Sequence, residues 1–147
     1  MISMTSRDFL EMPIADLIIS SEKVAHVQLG NNAEHALLVL TKTGYSSIPV
    51  LDAGYRLHGL LSMRMITESI LGLDHIEYEK LENIKVNDIM ETKVATLNIN
   101  DKFQKALDLV INHAFLCVVD DEERFVGIMT RRVILKQLKK HIYQFNS

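Results

Sequence analysis

Two halves of this sequence repeat one another. The segment from about Ile14 to Leu71 aligns with that from about Val86 to Ile142. Asp16-Leu17-Ile18 matches Asp88-Ile89-Met90, and Lys23-Val24-Ala25-His26-Val27 matches Lys93-Val94-Ala95-Thr96-Leu97. Further on, Ala36-Leu37 matches Ala106-Leu107, and Val50-Leu51-Asp52 matches Val118-Val119-Asp120. Gly59-Leu60-Leu61-Ser62 matches Gly127-Ile128-Met129-Thr130, each followed two residues on by an arginine, Arg64 or Arg132. The spacing drifts from 72 to 70 to 68 residues, with the length changes falling near Ser20-Ser21 and Thr43-Gly44. Those are expected loops, where insertions are tolerated. Five matches in one order mean duplication, so the chain folds as two copies of one supersecondary unit.

Each copy reads strand, helix, strand, strand, helix. Lys23 to Val27 is expected as a short strand. Asn31 and Asn32 precede an amphipathic helix over about Ala33 to Thr41. Strands follow at Ser46 to Leu51 and Leu57 to Leu61, joined by the turn Asp52-Ala53-Gly54. Ser62 caps a helix toward Leu71. In the second copy Asn100-Asp101 opens a helix over about Lys102 to Asn112. Leu116 to Val119 and Phe125 to Met129 form a hairpin, and Thr130 caps the last helix. This predicts an α/β (α+β) fold, with repeat 1 over 14–71, a polar, acidic connector over 72–85 and repeat 2 over 86–142. One copy cannot cover its own sheet. Two small sheets packed with pseudo-twofold symmetry and flanked by helices bury both apolar faces, and two equivalent clefts follow, each lined by both copies.

Composition narrows the function classes. Of 147 residues, 48% are apolar and 24% charged, which suits a folded globular protein. The net charge of −3 lacks the positive field that nucleic-acid binding needs. No apolar run reaches the ~18 residues of a membrane span, and no signal peptide is visible at the N-terminus. Cys117 is the single cysteine, so no internal disulfide forms, which fits a reducing cytoplasm. It lies within the apolar run Ala114 to Val119 and reads as a buried small hydrophobe.

The repeated elements resemble the CBS-pair family, or Bateman module, over nearly the whole chain. Gly44-Tyr45-Ser46-Ser47-Ile48-Pro49-Val50-Leu51-Asp52 is similar to the family's Gly-x-x-x-h-Pro-Val-h-Asp, with h apolar. Gly59-Leu60-Leu61-Ser62 and Gly127-Ile128-Met129-Thr130 are similar to its Gly-h-h-Ser/Thr. The resemblance implies an adenine-nucleotide sensor that regulates a separate partner and does no chemistry. With short outer ends, the chain resembles a stand-alone sensor, and within the family the cyclic di-AMP-binding proteins of Gram-positive bacteria. Cyclic di-AMP is therefore the expected ligand. AMP or ATP sensing, and a protein-interaction scaffold with empty clefts, are the alternatives. A homodimer is expected. The alarmone synthetase/hydrolase and pyruvate carboxylase are partner candidates by resemblance.

By matching position, the resemblance places the adenine edge at Lys23, Val24 and Ala25, with Tyr45, Ser46 and Ser47 next along the cleft. Ala114, Phe115, Thr130, Arg131 and Arg132 come from the other copy. Phosphate recognition has its own physical basis. Helix-initial amides lack internal partners and accept an anion, and guanidinium donors match phosphate geometry. Many family members carry an aspartate three residues after the Ser/Thr for the ribose hydroxyls, whereas Met65 and Val133 stand there. A cyclic dinucleotide has its ribose 3′ oxygens in phosphate esters and depends less on that aspartate. The related cleft would use Lys93, Val94, Ala95, Ser62, Arg64 and Tyr45. Met63 replaces its first arginine, so it is expected to bind more weakly or not at all.

Enzyme chemistry finds no support. The six histidines show no His-x-x-x-His spacing, and neither a Gly-x-Ser-x-Gly elbow nor a phosphate loop is present. The basic residues Lys136, Lys139 and Lys140 lie on a helix whose other face carries Ile134, Leu135, Leu138 and Ile142, which predicts a packed amphipathic helix rather than a DNA-binding one.

Overall fold

The computed structural model describes residues 5–145. In chain order its elements are α1 (Ser6–Leu10), β1 (Ile19–Ser20), β2 (Val27–Gln28), α2 (Ala33–Thr43), β3 (Ser47–Leu51), β4 (Leu57–Ser62) and α3 (Met63–Ser69). Next come α4 (Val86–Ile89), β5 (Thr96–Asn98), α5 (Phe103–Val110), β6 (Phe115–Val119), β7 (Phe125–Thr130) and α6 (Arg131–Phe145). Short 3₁₀ turns occupy Ala15–Leu17, Ser21–Lys23 and Tyr78–Asn83. The chain forms two compact units. The continuous unit spans Ala25–Val94, and the split unit takes Met1–Val24 together with Ala95–Ser147.

Each unit is built on one mixed sheet. In the continuous unit the order is β2-β3-β4, with β2 parallel to β3 and β3 antiparallel to β4. In the split unit it is β1-β7-β6-β5, with β5 parallel to β6 and both other pairs antiparallel. A parallel pair needs a long crossover, which α2 and α5 supply. The antiparallel pairs need only tight turns. Asp52 Oδ1 accepts the amides of Gly54 and Arg56, and Asp120 Oδ1 accepts those of Glu122 and Arg124.

The two cores occupy equivalent positions. Ala33, Ala36 and Leu40 of α2 are buried, as are Phe103, Ala106 and Val110 of α5, on the i, i+3, i+7 stripe of an amphipathic helix. Ile48, Val50, Leu61 and Ile66 answer to Leu116, Val118, Met129 and Ile134, each 68 residues on and all buried. A fully buried aliphatic side chain contributes ~1.5–3 kcal/mol, so each unit has its own apolar core. Residues 78–83 of the connector belong to the continuous unit. Leu81 lies in its core, and Asn32 Nδ2 donates to the Glu82 carbonyl at 3.3 Å.

Each sheet takes an edge from the start of the other repeat. Ile19, which precedes the first repeat's strands, sits opposite Ile128 of β7, and Ser20 sits opposite Gly127. At the equivalent place Glu91 pairs with Leu60 through two bonds of 2.9 Å. The close approach requires glycine. A Cβ on Gly127 would lie 2.3 Å from the Ile19 carbonyl oxygen, and one on Gly59 would lie 2.5 Å from that of Glu91.

Several expected boundaries shift. Lys23–Val27 is not a strand. Its first residue closes a 3₁₀ turn, and pairing starts only at Val27. In the second copy pairing starts at Thr96, not Lys93. Val24 is nonetheless buried, at 7% exposure, on irregular backbone. Asn100-Asp101 does not cap α5. Lys102 occupies the cap without a side-chain bond, and Asp101 instead accepts the Asn98 amide at 2.7 Å. Helix α3 ends at Ser69, short of Leu71, and Thr67 Oγ1 and Ser69 Oγ donate to the carbonyls of Met63 and Ile66 in its last turn.

Candidate functional site

The helices that follow the two hairpins begin in the same way. In the split unit Phe115 lies opposite Thr130, the Arg131 amide donates to the Ala114 carbonyl at 3.0 Å, and the Val133 amide donates to Thr130 Oγ1 at 3.2 Å. In the continuous unit Ser47 lies opposite Ser62, the Met63 amide donates to the Ser46 carbonyl at 3.0 Å, and the Met65 amide donates to Ser62 Oγ at 3.2 Å. Thus Ala114, Phe115 and Thr130 come together, and Ser46, Ser47 and Ser62 form their counterpart. Both expected caps, Ser62 and Thr130, form. At α6 the amides of Arg131 and Val133 are engaged. That of Arg132 has no partner among the described residues, and the unpaired first-turn amides of a helix favour an anion.

The side chains on this shared frame differ. Arg131 turns its Nε to the carbonyl of Val110, the last residue of α5, at 3.2 Å. A cation at a helix C-terminus is favourable, so Arg131 fastens α6 to α5. Arg132 is exposed and has neither ion pair nor hydrogen bond among the described residues. Its neighbour one turn on is Lys136. At the matching place Arg64 Nε donates to Glu68 Oε1 at 2.9 Å. That pair is solvated and adds little stability, but the carboxylate cancels the cation. The helices also differ in length, 15 residues for α6 against 7 for α3.

The remaining expected residues are placed as follows. Lys23 is exposed at the end of its turn, which packs against β7. The Val24 side chain is buried and its amide donates to the Ser21 carbonyl at 3.1 Å, so only its carbonyl is left to meet a ligand. No hydrogen bond ties either residue to Thr130, Arg131 or Arg132 among the described residues. Ala25 is half-buried against the core of the continuous unit, and Tyr45 in the same unit is 42% exposed.

Other chemistry is sparse. Among the described residues no His, Cys, Asp or Glu group has a metal-binding arrangement. Cys117 is 1% exposed and burial pushes its thiol up to about 12, which keeps it protonated and unreactive, in line with a packing role. Asp52 Oδ2 meets His58 Nε2 at 2.9 Å, and this hydrogen bond, with the Arg56 amide next, holds the Asp52 carboxyl below its usual range. No helix is long and apolar enough to cross a membrane among the described residues. The pairing of Arg64 with Glu68, against Lys136 beside Arg132, was there to be read from the i, i+4 spacing.

The chain matches the CBS domain twice, over residues 14–72 and 86–140. The chain belongs to the CBS-domain family. The Bacillus subtilis cyclic di-AMP receptor B is 56% identical over 146 residues, covering 99% of both chains. Among solved structures, a CBS domain-containing protein of unknown function from Bacillus anthracis superposes with a TM-score of 0.86 at 54% identity, covering 92% of this chain and 99% of that one. The Listeria monocytogenes CbpB protein in complex with c-di-AMP gives 0.82 at 55% identity, covering 88% and 97%. The tandem CBS architecture read from the repeats is therefore shown.

Proposed function

We propose that this CBS-domain chain is a receptor for cyclic di-AMP that regulates a separate protein and does no chemistry on its ligand. The observation that carries the reading is the uncompensated cationic start of α6, in a chain that matches a cyclic di-AMP receptor over its full length. A phosphate is held by the Arg132 amide and guanidinium, with Arg131 beside it and Thr130 shaping the turn. One charge-assisted contact of this kind is worth ~1.5–3 kcal/mol. Ala114 and Phe115 line the same end of the sheet, and Lys23 and the Val24 carbonyl complete the contacts offered by the split unit. Met65 and Val133 offer no acceptor for ribose hydroxyls, which disfavours AMP and ATP relative to a dinucleotide whose 3′ oxygens are esterified.

The receptor works in the cytoplasm as a homodimer, and its effector binds one of two forms. An effector that prefers the empty form weakens nucleotide binding by the same factor. The resemblance stated above keeps the alarmone synthetase/hydrolase and pyruvate carboxylase as candidate effectors. Calorimetric titration with cyclic di-AMP, AMP, ATP and cyclic di-GMP tests the reading. Cyclic di-AMP is expected to bind tightest. Preference for AMP or ATP would make the chain an energy sensor, and the absence of binding would leave a scaffold.

A further inference from the structure

We draw no further inference here: the strongest candidate, the surface patch at the connector turn of the continuous unit, where Leu71, Leu73, Ile76 and Tyr78 are exposed beside Asp74 and Glu79, carries nothing because nothing in the structure shows what covers it.

Discussion

At the start of α6, Arg132 is followed one turn later by Lys136, and at the same place in α3, Arg64 is followed by Glu68. Everything beneath these side chains is alike. The first amide of each helix donates at 3.0 Å to the carbonyl just before the first strand of its hairpin, Ser46 or Ala114, and the third donates to a capping hydroxyl at 3.2 Å. Duplication has thus left two equal backbone frames, and a few substitutions decide which attracts an anion. In the continuous unit an internal carboxylate occupies Arg64 and Met63 offers no charge. In the split unit Arg131 is spent on Val110 and Arg132 is left available. The same contrast recurs in the hairpin turns. Asp52 and Asp120 accept two amides each, but His58 adds a third partner to Asp52 where Val126 stands in the other repeat.

If the frames are equivalent, breaking either should cost alike. The largest effect is expected from Gly127→Ala and Gly59→Ala, whose new Cβ atoms meet a paired strand's carbonyl at 2.3 and 2.5 Å. Each should lose about 1–3 kcal/mol or more of stability, Gly127→Ala the more, as measured by urea denaturation. Loss confined to one variant would show that only one of the two edge pairings carries weight. The caps come next. Thr130→Ala and Ser62→Ala should each cost about 1 kcal/mol, but only Thr130→Ala should weaken cyclic di-AMP binding in titration. Equal weakening by both would erase the distinction between the repeats.

A smaller change gives the split unit the charge pattern of the other. Lys136→Glu supplies Arg132 with the partner that Arg64 has in Glu68. An exposed i, i+4 pair is worth ~0.3–0.5 kcal/mol, so affinity should fall about two-fold, and Lys136→Gln should fall less. The smallest effect concerns the hairpin turns. The Asp52 carboxyl is held low by His58, so its stabilising effect is present above the ordinary carboxylate range and is lost as pH falls through its lowered value. Asp52→Asn should flatten the acid limb of thermal stability against pH. An unchanged limb would show that the pair has no effect in solution.

Much of this was legible in the sequence because duplication exposes it. The hairpins, the long helices and the caps Ser62 and Thr130 follow from alternation, turn residues and spacing. The edge pairing of Ile19 with Ile128 was not legible, because two residues carry no periodic signal and the partner lies more than 100 positions away. Lys23 to Val27 imitated a strand because its two valines are β-branched residues that favour strands, although the burial of Val24 is met by irregular backbone. At the candidate site, Thr130 and Arg132 could be found from the repeats. The attachment of Arg131 to Val110 depends on where the end of α5 comes to rest, which no local pattern encodes.

The asymmetry between the repeats is tested most directly by titrating cyclic di-AMP into Arg132→Ala and Arg64→Ala side by side. Arg132→Ala should weaken binding at least ~10-fold, the loss of one charge-assisted contact, while Arg64→Ala should stay within about two-fold of wild type, the weight of a surface pair. Equal losses, or the larger loss at Arg64, would contradict the assignment of the anion to α6.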